Sequence, residues 1–128
     1  MAPGGAGAVK IHKLSETPEF SAADQTILSE LWNPKNHPGF SGRYSLAHAI
    51  LPTGKSSAPH ILNSHELFYI LSGSGVMHIA DESSRVGPGD AIEIPPGQRQ
   101  WLENVGDSEL CFLCIVDPGW SPEDETIL

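Results

Sequence analysis

The chain has 128 residues, which suits one domain with its own hydrophobic core and is short for two. Sixteen acidic residues against seven basic ones give a formal net charge of −9, and this argues against nucleic acid and anionic membrane surfaces as partners, since both need a basic patch. No apolar run is as long as a membrane span, and the first residues lack the apolar core of a signal peptide. We therefore expect a cytoplasmic protein.

The N-terminal part of the chain differs in composition from the rest. Residues 1–9 are rich in glycine, alanine and proline and are expected to be disordered. Residues 21–32 fit two structures: Ser21 and Asp24 resemble a helix capping box, whereas the alternation up to Trp32 is typical of a strand. We divide the chain into a flexible N-terminus and arm, residues 1–42, and a β domain with a C-terminal tail, residues 43–128.

From Gly42 onward the pattern is β throughout. Short apolar or alternating runs are separated by glycine and proline turns, and they predict strands at 43–51, 67–71, 76–80, 84–86, 91–94, 99–104 and 109–116. Strands at this spacing indicate an all-β sandwich or small barrel.

Cys111 and Cys114 form a C-x-x-C pair, a spacing found in redox and zinc sites. Here the pair lies in an apolar strand-like run, where residues three apart point to opposite faces of a sheet. We predict that both are free cysteines in a strand rather than a metal or redox pair.

Two motifs carry the strongest signal. The first runs from Gly54 to Gly73 and contains His60 and Glu66, and the second, GDAIEIPPGQRQWLEN, runs from Gly89 to Asn104. In the order and spacing of their glycines, proline, asparagine, histidine and glutamate, they resemble the two motifs of the cupin family. The resemblance implies a double-stranded β-helix, a jelly-roll-like barrel, with an N-terminal arm.

The resemblance also implies a metal site, with two departures. In cupins, two histidines and a glutamate of the first motif and a histidine of the second hold a metal inside the barrel. Here Leu62 and Gln100 stand at two of the histidine positions. The implied ligands are thus His60, Glu66 and Gln100, with Fe, Mn, Ni or Zn as the divalent metal, and the implied inward-facing pocket wall is Leu62, Phe68, Ile70 and Leu102.

Two further histidines are candidates for an additional ligand or a pocket residue. His65 is adjacent to Glu66, so on a regular strand it points to the opposite face, although a bend before it would turn it inward. His48 lies in the middle of a predicted strand whose inward face the sequence does not decide.

Two functions follow from these residues. One is a mononuclear metal enzyme, of isomerase, lyase or dioxygenase type, acting on a sugar derivative or an oxo or hydroxy acid. The other is a non-catalytic small-molecule-binding or sensor protein with a degraded metal site. The resemblance further implies a homodimer, and it favours a strand over a helix for residues 21–32.

Overall fold

The computed structural model describes residues 9–128, and within them the chain forms strands and no α-helix. The strands are β1 (Phe20–Ser21), β2 (Ile27–Trp32), β3 (Ser45–Leu51), β4 (His60–Leu62), β5 (His65–Ser72), β6 (Gly75–Ile79), β7 (Glu82–Val86), β8 (Ala91–Ile94), β9 (Arg99–Asn104), β10 (Leu110–Asp117) and β11 (Glu125–Ile127). Short 3-10 turns occupy Leu14–Glu16 and Pro122–Asp124. The all-β prediction is confirmed, and no helix of residues 9–128 could span a membrane.

The strands form two antiparallel sheets. One has six strands in the order β1-β2-β3-β10-β5-β8, and the other has five in the order β11-β4-β9-β6-β7. Residues 27–32 are a strand beside β3, as predicted, so part of the segment set apart as an arm extends a sheet of its own chain. The division at residue 42 stays a prediction, and the disorder expected for residues 1–9 falls, except for Val9, outside the described residues.

The core lies between the sheets because the central strands alternate between buried and more exposed side chains. On β5, Glu66, Phe68 and Ile70 are buried, and on β10 the ring of Phe112 packs 4.8 Å from that of Phe68. The outward side chains of β5 include Tyr69 and Leu71, each 42% exposed. The homodimer expected through this outer face stays a prediction.

Other residues of the motifs have structural roles. Gly73 has a φ of +93°, and a Cβ there would come within 2.6 Å of the carbonyl oxygen of Glu109, so only glycine fits this turn. Asn104 donates from Nδ2 to the carbonyls of Leu51 and Ser108, both at 2.9 Å. Of the C-x-x-C pair, Cys114 is buried, Cys111 is half-buried, and both are free thiols.

Strand β4 is the point at which distant parts of the chain meet. It pairs with β9, which places His60 opposite Gln100, and with β11, which places Glu125 opposite Leu62. Just before β4, the Ala58 N–H donates to the carbonyl oxygen of Asp24 at 2.7 Å and ties down the turn between β1 and β2. Segments that lie before and after the two motifs thus converge on His60.

Candidate ligand and metal site

His60 is the centre of the site. Its ring is buried, and Nδ1 lies 2.8 Å from the carbonyl oxygen of Ala58. A carbonyl oxygen only accepts hydrogen bonds, so Nδ1 carries the proton. The other nitrogen, Nε2, faces two carboxylate oxygens, Asp24 Oδ2 at 3.8 Å and Glu125 Oε2 at 3.6 Å. Both distances exceed a hydrogen bond, and Nε2 therefore remains available to a ligand.

Asp24 is held rigidly in the turn between β1 and β2. Its Oδ1 accepts hydrogen bonds from the backbone N–H of Thr26 at 3.1 Å and from the Thr26 hydroxyl at 2.6 Å. With Oδ1 occupied, the second oxygen, Oδ2, is the one that faces His60. This is an Asx-type turn in which the side chain's orientation is set by its own backbone.

Glu125 reaches the site from the C-terminal strand. Its side chain is 7% exposed, and burial together with the charge of Asp24 raises its pKa, while His60 works in the opposite direction. A carboxylate in this position gains from a nearby positive charge. One ligand atom each from Asp24, His60 and Glu125 lie within 4.8 Å of one another.

Glu66 and Gln100 form a second, deeper pair. Gln100 Nε2 donates to Glu66 Oε1 at 2.9 Å, and both side chains are buried. Burial raises the pKa of Glu66 from 4.5 to about 8, with the charges of Asp24 and Glu125 adding to the rise and the Gln100 hydrogen bond opposing it. Glu66 is therefore mainly protonated at neutral pH. Gln100 Oε1 is, in the described part of the chain, the one buried side-chain oxygen or nitrogen without a partner.

Asp24, His60, Glu66 and Glu125 face a cavity of about 40 Å³ between the inner face of the six-stranded sheet and strands β4 and β11. A single water needs roughly 10–15 Å³ by this measure, so the space admits a few waters or one compact ligand. Apolar side chains form much of its wall, among them Leu28, Phe68, Phe112, Val116 and Trp120, and the acidic groups that line it are Asp24, Glu30, Glu66 and Glu125.

The other predicted site residues lie apart from this cluster. His65 is on the outer side of β5, where Nε2 contacts Glu93 Oε2 at 3.0 Å, and His48 lines a surface groove with Ser29 and Ile50. Of the predicted pocket wall, Phe68 lines the cavity, whereas Leu62, Ile70 and Leu102 are buried without lining it.

The family's four-ligand metal site does not fit the residues present. Leu62 is buried at the position of one histidine and offers no donor atom. Gln100 directs its N–H toward Glu66, so one oxygen of the Glu66 carboxyl group is already bonded within the protein. The arrangement that offers one imidazole and two carboxylates to a cation is instead Asp24, His60 and Glu125.

Comparison with known proteins agrees with the motifs and the fold. The Cupin_2 domain family matches residues 47–116, which is more than half of the chain. The chain belongs to the cupin family. An uncharacterised protein of Methanocaldococcus jannaschii, MJ1618, is 40% identical to this chain over 110 residues, which are 85% of this chain and 86% of that protein.

Two other relatives carry functional descriptions. An oxalate-binding protein of Thermotoga maritima is 33% identical over 67 residues, which cover 52% of this chain and 55% of that protein. A Thermotoga maritima structure described as a predicted oxalate decarboxylase superimposes with a TM-score of 0.74 at 22% identity, over 86% of this chain and 99% of that one. At this identity the structural likeness supports the cupin fold alone.

Sequence reasoning missed Asp24 and Glu125 as site residues. Both lie outside residues 47–116, and each reaches His60 through long-range pairing that no local pattern encodes. One signal in the sequence could have indicated them. The motifs lack two of the family's four metal-ligand side chains, and the tail after Pro118 is rich in carboxylates that could replace them.

Proposed function

We propose that this cupin binds a small polar acid, of the oxo-acid or hydroxy-acid class, in the cavity between its sheets. The observation that carries the proposal is the cavity itself, about 40 Å³, with polar groups converging at His60 and Glu66 against a largely apolar wall. Compact apolar clefts with a few convergent polar groups are the usual form of a ligand site. The oxalate-binding relative from Thermotoga maritima supports the ligand class.

Cavity size favours the acid over the sugar derivative that the sequence left open. Pockets for larger organic ligands usually measure roughly 300–1,000 Å³, several times the volume here. A molecule of the size of oxalate or a short oxo acid is the better match. Charge sets a second condition, because four acidic side chains line the cavity and an anion entering it needs a compensating cation.

The residues of the chain divide the work of binding. The protonated carboxyl of Glu66 can donate a hydrogen bond to a ligand oxygen, and Gln100 holds that carboxyl in place through Nε2. Phe68 and Phe112 keep water from the inner wall, which strengthens the polar contacts there. A divalent ion, when bound, supplies positive charge that attracts the acid and polarises its carbonyl.

Titration calorimetry of the full chain tests this proposal. We expect oxalate and a short 2-oxo acid to bind when Mn²⁺ or Zn²⁺ is present, and a hexose phosphate not to bind. Failure of every small acid to bind, with and without divalent ions, would overturn it. Product analysis of the bound acids then separates an enzyme, which converts at least one of them, from a binding protein, which converts none.

The second candidate is the non-catalytic binding or sensor protein with a degraded metal site. The observation that favours it is Leu62, an apolar side chain buried beside His60 on the inward face of β4. On this proposal the acid binds equally well after all divalent ions are removed by a chelator. A requirement for metal in binding would exclude it.

A further inference from the structure

We propose that a divalent metal ion binds between Asp24, His60 and Glu125, a ligand set assembled from three separate segments and displaced from the family's motif positions. The inference deepens the proposed function and rests on it, because this ion would be the cation that accompanies the acid. Only His60 of the set belongs to the cupin motifs; the other two residues lie outside residues 47–116.

The first support is the position of His60 Nε2 beside two carboxylate oxygens. The side chain of His60 is 4% exposed, and its Nδ1–H is bonded to the Ala58 carbonyl. Neither carboxylate oxygen lies within hydrogen-bonding distance of Nε2. The two carboxylate oxygens lie 3.6 and 3.8 Å from Nε2, and a cation among the three atoms would be attracted by both negative charges.

The second support is that each ligand is oriented by other groups. Ala58 fixes the His60 ring, and Thr26 occupies one oxygen of Asp24 so that the other is presented to the site. Such outer contacts are the usual accompaniment of metal ligands, since they fix the tautomer and the direction of the donor atom.

The third support concerns how Glu125 is delivered. Lys35 Nζ donates to the Gly119 carbonyl at 2.7 Å and lies 3.5 Å from Asp124 Oδ2, so it holds both ends of the segment that leads into β11. Asn33 Nδ2 adds a bond to the Trp120 carbonyl at 2.8 Å. A tail fixed at three points places the Glu125 carboxylate against His60 at low entropic cost.

The donor chemistry defines the ion. One imidazole and two carboxylates neutralise a charge of +2 and suit Zn²⁺, Mn²⁺ or Fe²⁺. These ions hold nitrogen and oxygen ligands at roughly 2.0–2.2 Å, so binding requires the three groups to close by a few tenths of an ångström each. Three protein ligands leave coordination positions open, which is the arrangement of sites that also bind a small molecule.

Metal titration of isosteric variants tests the assignment. The full chain is stripped with a chelator and titrated with Zn²⁺ and Mn²⁺ by calorimetry. We expect Asp24→Asn and Glu125→Gln each to weaken binding by ~10- to 100-fold, and Glu66→Gln to change it by less than about threefold. Glu82→Gln on β7 is the control for the loss of one carboxylate, because its side chain is exposed and does not line the cavity.

A second measurement does not depend on affinity. Since Glu125 lies on β11, metal should increase amide hydrogen-exchange protection in residues 119–127 of the wild type but not of Glu125→Gln. If Glu66→Gln and Gln100→Ala lost metal binding while Asp24→Asn and Glu125→Gln kept it, the metal would bind at the motif positions and the inference would be overturned.

The failures of the two proposals are distinguishable. Acid binding by a chain that takes up no divalent ion would overturn the metal site and leave the proposed function standing. Metal uptake that depends on Asp24 and Glu125, without binding of any acid, would support the metal site and overturn the proposed function.

Discussion

Two acidic regions face the same cavity and are built on different principles. The deep one, Glu66 with Gln100, is buried and has a single donor, so its carboxyl keeps a proton at neutral pH. The outer one, Asp24 and Glu125 around His60, has donors on Asp24 and an imidazole between the acids. The comparison teaches that burial alone does not decide the role of a carboxyl group; its hydrogen-bond donors and the charges around it do.

The largest effect is expected from Glu66→Gln as a function of pH. The folded-state pKa of Glu66 is about 8 against 4.5 for the free side chain. Below 4.5 the group is protonated in both states and contributes nothing to the difference. Between the two values the unfolded chain releases a proton that the folded chain keeps, so wild-type stability falls by up to about 1.4 kcal/mol per pH unit.

Glutamine mimics the protonated acid, so the variant should lose this pH dependence. We expect it to equal the wild type near pH 4.5 and to exceed it by about 2–4 kcal/mol near pH 8, in denaturant unfolding of the metal-free protein. Glu82→Gln, an exposed residue on β7, serves as control and should track the wild type. Parallel stability curves for wild type and Glu66→Gln would show that Glu66 is ionised in the fold.

A double substitution tests whether the deep region can become the metal site. Leu62→His with Gln100→His restores the family's imidazoles on the inward faces of β4 and β9, and imidazole is a better donor than an amide. We expect Zn²⁺ affinity to rise at least tenfold and to become insensitive to Asp24→Asn. The control, Leu62→Met with Gln100→Met, should show no gain. Unchanged affinity in the histidine variant would mean that these positions cannot coordinate together.

Thr26→Val addresses the outer region. The substitution keeps the shape of the side chain but removes the hydroxyl that donates to Asp24 Oδ1 at 2.6 Å. We expect a loss of about 1–2 kcal/mol in unfolding free energy and a several-fold loss in metal affinity, because Asp24 Oδ1 is then held by the Thr26 backbone N–H alone. Thr53→Val, at an exposed loop position, provides the comparison. Equal metal affinity in both variants would argue against a rigidly presented Asp24.

The smallest effect is expected from Lys35→Met. Its ion pair with Asp124 is partly exposed to solvent and contributes less than about 1 kcal/mol to global stability. The loss of its bond to the Gly119 carbonyl should still speed hydrogen exchange in residues 119–127 and weaken metal binding two- to fivefold. Lys35→Arg should restore both properties. Unchanged exchange in Lys35→Met would show that the tail is held without Lys35.

The fold could be predicted because its determinants are local and repeated. Alternation on β5 and β10 and the glycine turns specify strands, and the paired motifs specify which barrel they form. The resemblance to the cupin motifs, rather than the local pattern, grouped His60, Glu66 and Gln100; in the structure His60 pairs with Gln100 across β4 and β9, and Gln100 is bonded to Glu66. The local pattern placed His65 correctly on the face opposite to Glu66.

The outer region could not be predicted in the same way. Asp24 reaches His60 through one backbone hydrogen bond to Ala58, and Glu125 through a three-residue strand. Neither contact follows from a period of two or from a motif, because each depends on how a terminal segment closes over the barrel. The local pattern of Ser21–Trp32 fits a helix as well as a strand, and pairing with β3 makes residues 27–32 a strand.

The position of Asp24 and Glu125 outside the shared cupin region has an evolutionary consequence. Because Asp24 and Glu125 come from segments outside the motifs, a change in those segments can alter the acidic side chains beside His60 without altering the motifs. A chimera that carries residues 47–116 of this chain between the flanking segments of another cupin would keep His60, Glu66 and Gln100 and would lose Asp24 and Glu125. The presence of the two motifs alone then says little about which ligand such a barrel binds.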